Sequence, residues 1–145
     1  MGKIRVGLHG SNGHHIISNL IGNPRAELVA LSAWDAEIPD GMSPKRCASL
    51  DDLLKGTGVD LVSLCSPRRR EQARDAVACL KAGKHVYAEK PCAMIEEDLD
   101  AIMSSAKSSG RIFHEMAGTA FGQPFLAMRK IVAQGTIGIF RDVSG

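Results

Sequence analysis

An α/β fold built on a doubly wound parallel sheet follows from three features of the sequence. Strand-like and helix-like segments alternate strictly along the chain. The strands are apolar nearly throughout, not at every second residue, as expected where both faces of a sheet are covered. The connections carry the glycine, proline and capping residues that stop one element and start the next. At 145 residues the chain is long enough for one domain with a real core.

The elements read in order. Ile4–His9 (IRVGLH) is a first strand, followed by a loop over Gly10–Gly13 and an apolar-periodic helix to about Ile21, stopped by Gly22, Asn23 and Pro24. Glu27–Ala33 is a second strand, and the polar stretch DAEIPDGMSPKR a connection. Ser49 is placed to cap a short helix, LDDLLKG. Val59–Cys65 is a third strand; Arg70–Ala82 is a helix with Ala73, Ala76, Val77 and Leu80 on one face and Gly83 as its stop. Lys84–Ala88 is a fourth strand, and Glu96–Ser108 a helix with Leu99, Ile102 and Met103 facing inward. Arg111–Glu115 is a fifth strand and Pro124–Ala133 a last helix.

Several classes of function are excluded. A net charge of +2, with Arg68–Arg70 as the one basic run, is too little for nucleic acid or an acidic membrane surface. No apolar run approaches a membrane span, and MGKIRVGLHG lacks the apolar core of a signal peptide. Cys47, Cys65, Cys79 and Cys92 show no CxxC pair and read as buried reduced thiols, which suits a cytoplasmic protein. No set of His, Asp or Glu has metal-ligand spacing, so no metal is expected.

A doubly wound sheet binds ligands outside the carboxyl ends of its strands, where strand order reverses. The loops after His9, Ala33, Cys65 and Ala88 therefore form one candidate surface. In VGLHGSNGHHI the glycines allow a tight turn and close approach to a pyrophosphate at a helix N-terminus. The pattern G-x-G-x-x-G is not met: after Gly10, Asn12 stands at the second glycine position and His15 at the third. Asn12 tolerates positive φ, and Gly13 offers another point of close approach; a ligand-free turn stays open. Asp35, just past the second strand, is the candidate acid for the ribose hydroxyls of NAD, while Ser32 or the basic pair Lys45 and Arg46 is the alternative that favours a 2′-phosphate. Arg68–Arg70 read as a solvated run or as a contact to cofactor phosphates, His14 and His15 as polar surface or ligand contacts, and His85 and His114 as satisfied interior groups. HVYAEKP ends an apolar strand on two opposite charges and a proline, either as a solvated turn or as a site.

The segments IRVGLHG, ELVAL, LDDLLKGTGVDLVSLCSP, LKAGKHVYAEKP and QGTIG together resemble the N-terminal Rossmann-like domain of the glucose–fructose oxidoreductase/inositol dehydrogenase (Gfo/Idh/MocA) family. The resemblance implies an NAD(P)-binding domain of an oxidoreductase that transfers a hydride between a nicotinamide cofactor and a small sugar- or polyol-like alcohol or carbonyl. It implies a cofactor, NAD or NADP, with Asp35 giving a slight preference for NAD, lying across Gly10, Ser11, Asn12, Gly13, His14, Asp35, Ser66, Pro67, Arg68, Glu89 and Lys90. It implies that Lys90 is catalytic and that the peptide before Pro91 is cis. Family members are commonly dimers or tetramers through contacts of the second domain, which do not transfer to this chain, so a homo-oligomer is one possible state. By the same resemblance residues 1–120 form the dinucleotide-binding domain; residues 121–145 supply a connecting helix and, at Ile139–Val143, the first strand of a second α/β domain missing from this chain. The chain departs from the family at Glu71 and Gln72, where relatives often carry a histidine, and in EMAGTAFGQPF, which keeps Phe121 and Pro124 as echoes. A non-catalytic module that kept the fold is the alternative reading.

Overall fold

A computed structural model of the chain describes residues 2–118, 122–136 and 138. The strand expected at Ile139–Val143 and the aromatic Phe121 lie outside these residues. The elements are β1 (Ile4–His9), α1 (Ile17–Leu20), β2 (Ala26–Ser32), β3 (Lys45–Cys47), α2 (Leu50–Gly56), β4 (Leu61–Leu64), a 3-10 turn (Arg69–Glu71), α3 (Gln72–Lys81), β5 (His85–Ala88), α4 (Glu96–Ser109), β6 (Phe113–Glu115) and α5 (Phe125–Ala133). The strands form one parallel sheet in the order β3-β2-β1-β4-β5-β6. Strand order reverses between β1 and β4, which are hydrogen-bonded neighbours although two strands separate them in sequence.

Alternation along the strands assigns side chains to two cores. Ala30, Val62, Leu64, Val86 and Ala88 pack with Leu53 of α2, with Ala73, Ala76, Cys79 and Leu80 of α3, and with Ile102 of α4. Val6, Leu8 and Leu31 face the other way, onto Ile17, Leu20 and Trp34. Gly7 lets Leu53 and Val59 sit against the β1 backbone, since a Cβ there would meet them at 3.0 and 3.1 Å. Ser49 caps α2 by accepting from the Asp52 N–H at 3.1 Å, and Gly110, left-handed at φ 64°, ends α4.

Four expectations are corrected. The polar connection after the second strand contains a strand, β3, whose Lys45, Arg46 and Cys47 pair with Ala30, Leu31 and Ser32. Its charges suit a sheet edge and hid it from an apolar search. The first helix is a single turn beginning at Ile17, because residues 10–16 are held in a loop by contacts described below. On α4, Leu99 and Met103 are 42% and 57% exposed; the inward face is set by Ile102 and Ser105, which close on α3. His114 is exposed and lies 5.5 Å from the Tyr87 ring, whereas half-buried His85 accepts from the Ile112 N–H at 3.0 Å as an interior group would.

The rotation of α4 is checked by a pair of truncations. Ile102→Ala should cost about 2–5 kcal/mol in urea unfolding, as for a fully buried aliphatic side chain. Met103→Ala should stay within about 0.5 kcal/mol. Equal losses would mean that α4 presents the face read from the sequence.

Candidate functional site

The loops after β1 and β4 are fastened to each other at the point of strand reversal. Gly10 is buried at φ 74°, and a Cβ there would stand on the Cys65 carbonyl oxygen, so only glycine fits. Its N–H donates to the Ser32 carbonyl at 2.9 Å, and the Cys65 N–H donates to that of His9 at 2.9 Å. Asn12 is not at positive φ: among the described residues Ala33, at 49°, is the only non-glycine there. Asn12 acts through its side chain instead, donating to the Ser66 and Pro67 carbonyls at 3.3 Å each. Arg69 completes the clamp, donating to the Asn12 carbonyl at 2.6 Å and to Gln72 Oε1 at 2.5 Å.

The loop after β5 joins this clamp through a buried carboxylate. Glu89 is 1% exposed. One carboxylate oxygen accepts from the His14 backbone N–H and lies 3.2 Å from His14 Nδ1. The other accepts from the Lys90 N–H at 2.9 Å, with Lys90 Nζ at 4.0 Å. Gly13, at φ 125°, makes room for this carboxylate, since a Cβ would meet its atoms at 2.8–3.0 Å. Fully buried Gln72 braces the same loop, donating to the Glu89 and Pro91 carbonyls and accepting from the Ser66 N–H at 3.3 Å. The Lys90–Pro91 peptide is cis, as the resemblance implies. Beside the junction opens a cavity of about 370 Å³, lined by His14, Tyr87, Glu89, Lys90 and Met116 among others.

A second polar layer lies beneath the loops. His9, 7% exposed at the end of β1, has Nδ1 2.8 Å from Ser32 Oγ and Nε2 3.8 Å from Asp75 Oδ2. Asp75 accepts from Ser66 Oγ at 2.8 Å and pairs with Arg74 at 3.1 Å. Burial outweighs the attraction of Asp75 and lowers the His9 pKa below the ordinary histidine value. By the same cause burial raises Cys65 to about 11 and Cys79 to about 12, which holds both as thiols, while Cys47 is half-buried.

The structure thus brings Gly10, Asn12, Gly13, His14, Ser66, Pro67, Glu89 and Lys90 together. Asp35, exposed just beyond β2, accepts a hydrogen bond from Ser11 Oγ and so also touches the first loop. Arg68 points away and pairs with Glu71 at 3.3 Å; its neighbour Arg69 reaches the loop. His15 packs edge-on against Trp34, centroids 4.7 Å apart, where a third glycine would have let the helix close in. Sequence reasoning missed His9 and Asp75, and it named Arg69 and Gln72 without their part in bracing the loops. For His9, Gln72 and Asp75 the one sequence signal was polarity at inward-turned positions, and it names no partner.

Comparison with known proteins agrees with this architecture. The sequence profile of the Gfo/Idh/MocA oxidoreductase family, NAD-binding Rossmann fold, matches residues 4–116. A trans-1,2-dihydrobenzene-1,2-diol dehydrogenase from Bos taurus is 32% identical over 127 residues, which is 83% of this chain and 38% of that one. A myo-inositol 2-dehydrogenase from Thermotoga maritima is 31% identical over 87 residues, 60% of this chain and 26% of that one. The fold matches the solved myo-inositol 2-dehydrogenase of Lactobacillus plantarum with a TM-score of 0.81 at 20% identity, over 94% of this chain and 42% of that one. The apo scyllo-inositol dehydrogenase of Lactobacillus casei gives 0.78 at 22%, over 94% and 43%. The chain spans about two fifths or less of the length of these relatives. It belongs to the Gfo/Idh/MocA oxidoreductase family and is an NAD-binding Rossmann domain of it, so its cofactor is a nicotinamide dinucleotide.

The lowered His9 pKa fixes the sign of a pH effect. The unfolded chain takes up the proton first, so the stability tied to neutral His9 is complete above about pH 6.5 and is lost as pH falls below it. His9→Gln should flatten the fall in unfolding free energy between about pH 7 and 5. Parallel curves for the two proteins would show that His9 charges in the fold without cost.

Proposed function

We propose that this chain is the cofactor-binding part of an oxidoreductase that moves a hydride between an alcohol and its carbonyl, the substrate being diol- or polyol-like. The observation that carries this reading is the junction at Glu89, where the loops after β1 and β5 meet beside Lys90 and an open cavity. The names of the relatives, a diol and an inositol dehydrogenase, support the substrate class. Residues 1–120 would make up the cofactor domain, with 121–145 leading into a second domain that covers the substrate.

The local geometry fits a dinucleotide. Gly10 and Gly13 keep the backbone of the first loop bare, and Gly13, Asn12 and His14 are exposed for close approach. Gly10, Ser11, Asn12, Gly13 and His14 would surround its phosphates, with Ser66 and Pro67 beside them, and Arg69 supports that loop where Arg68 does not. When bound, the nicotinamide ring supplies the hydride acceptor or donor. Lys90, which lines the cavity, would hydrogen-bond the substrate oxygen that gains charge as its C–H bond breaks. Asp35 would take the ribose hydroxyls, and its carboxylate disfavours a 2′-phosphate, so NAD is the cofactor we propose. A non-catalytic module is favoured by one observation: the Asn12 amide and the Arg69 guanidinium are both spent on contacts within the protein.

Calorimetric titration of the chain with NAD(H) and NADP(H) separates these readings. NAD should bind at least about tenfold more tightly, about 1.4 kcal/mol, and Asp35→Ser should narrow the gap. Tighter NADP would bring in Lys45 and Arg46 in place of Asp35. A folded chain that binds neither at millimolar concentration would be the non-catalytic module.

A further inference from the structure

We propose that Gln72 is the positioning residue for Lys90, holding the peptide carbonyls on either side of it so that the ammonium is presented to the cofactor; this rests on the oxidoreductase reading above. The lysine side chain has little of its own to fix it. It is 62% exposed, and Nζ stands 4.0 Å from the Glu89 carboxylate, beyond hydrogen-bond length. Its place is therefore set by the backbone of residues 89–92. The Glu89 N–H donates to the Leu64 carbonyl at 2.8 Å, and the Lys90 N–H to the Glu89 carboxylate at 2.9 Å. Pro91 has no N–H, and that of Cys92 donates to the Glu115 carboxylate at 2.8 Å. The carbonyls of Glu89 and Pro91 both accept from Gln72 Nε2, the second at 3.0 Å. One side chain thus holds the chain before and after the lysine.

The chemistry of the position asks for an amide. A glutamine side chain has two N–H donors and an oxygen with two lone pairs, and here all four are used. Oε1 accepts from the Ser66 N–H at 3.3 Å and from Arg69 Nη1 at 2.5 Å, opposite the two donors. Turned over, the amide would set donors against donors and its oxygen against two carbonyls, so the network fixes its orientation. An ionised glutamate would keep both accepting contacts and lose both donors; an imidazole has one donor at most while it still accepts. The support behind the amide is rigid. Gln72 is fully buried at the start of α3, whose Ala73, Ala76, Cys79 and Leu80 pack into the core under β4 and β5. Lys90 is thereby tied to a packed helix, although its own side chain lies at the surface.

The test uses the intact chain, ¹⁵N-labelled and with its lysines ¹³C-dimethylated, a change that keeps their charge. Amide shifts at Gly10–Gly13 report NAD binding, and the Lys90 methyl signal, assigned with Lys90→Arg, reports the contact of that lysine with the cofactor. Gln72→Glu takes away the donors that face the two carbonyls and keeps the contacts to Ser66 and Arg69. Gln72→Met, neutral and unbranched, takes its place if the acid does not fold. At saturating NAD the wild-type Lys90 signal should shift. In the variant that shift should fall at least about threefold while the Gly10–Gly13 shifts persist, whereas a merely structural loss would reduce both together. A wild-type Lys90 signal that ignores bound NAD, a response unchanged in the variant, or one that falls in step with the loop overturns the inference and leaves the oxidoreductase reading intact. Absence of any shift at Gly10–Gly13 in the wild-type chain would sink that reading, and this inference with it.

Discussion

A carboxylate sealed from water must be surrounded by donors, and that demand at Glu89 organises the ligand end of this domain. Its two oxygens draw on the backbone N–H groups of His14 and Lys90, which belong to loops following different strands. Unpaired, such a charge would cost several kcal/mol; paired to backbone amides, it becomes a fixed joint between the loops. Gln72 performs the same service one layer deeper, satisfying two carbonyls and one amide of the flanking loops with a single buried amide group. The loops are thus set by the interior, and the exposed side chains of His14 and Lys90 inherit their positions from it.

The cavity arises from an asymmetry between the faces of the sheet. On one face Val86 and Ala88 of β5 are covered, by the core that includes α3 and α4. Tyr87, between them, points to the opposite face and borders the cavity with Met116. Among the described residues that face is packed by α1, Trp34 and their neighbours at the β1–β2 side of the sheet. The site is a gap in an otherwise two-sided core.

The fold was legible in the sequence because the elements that build it are apolar and well punctuated. β1, β2, β4 and β5 stand within two residues of where their runs place them, and Ser49 and Gly83 mark helix boundaries as read. What escaped has a physical cause. β3 is a three-residue charged edge strand whose pairing partner supplies its stability. The face of α4 is chosen by packing on α3, which a periodic pattern containing Leu99, Ile102 and Met103 leaves ambiguous. At the site, glycines and the EKP segment were readable because backbone geometry and motif coincide. Arg69, Gln72, Asp75 and His9 were not, because a polar residue declares its role only once its partners across the sheet are known.

Gly13 and Glu89 also constrain how this sequence can change over generations. A Cβ at position 13 would fall within 2.8–3.0 Å of the Glu89 side chain, so a larger residue there is admitted only if the acid shrinks or moves. Shortening the acid first leaves the His14 and Lys90 amides without their acceptor. Either single step is penalised, and a lineage can leave this arrangement only by changing both positions together. The two should therefore drift as a pair, each fixing the other's alphabet.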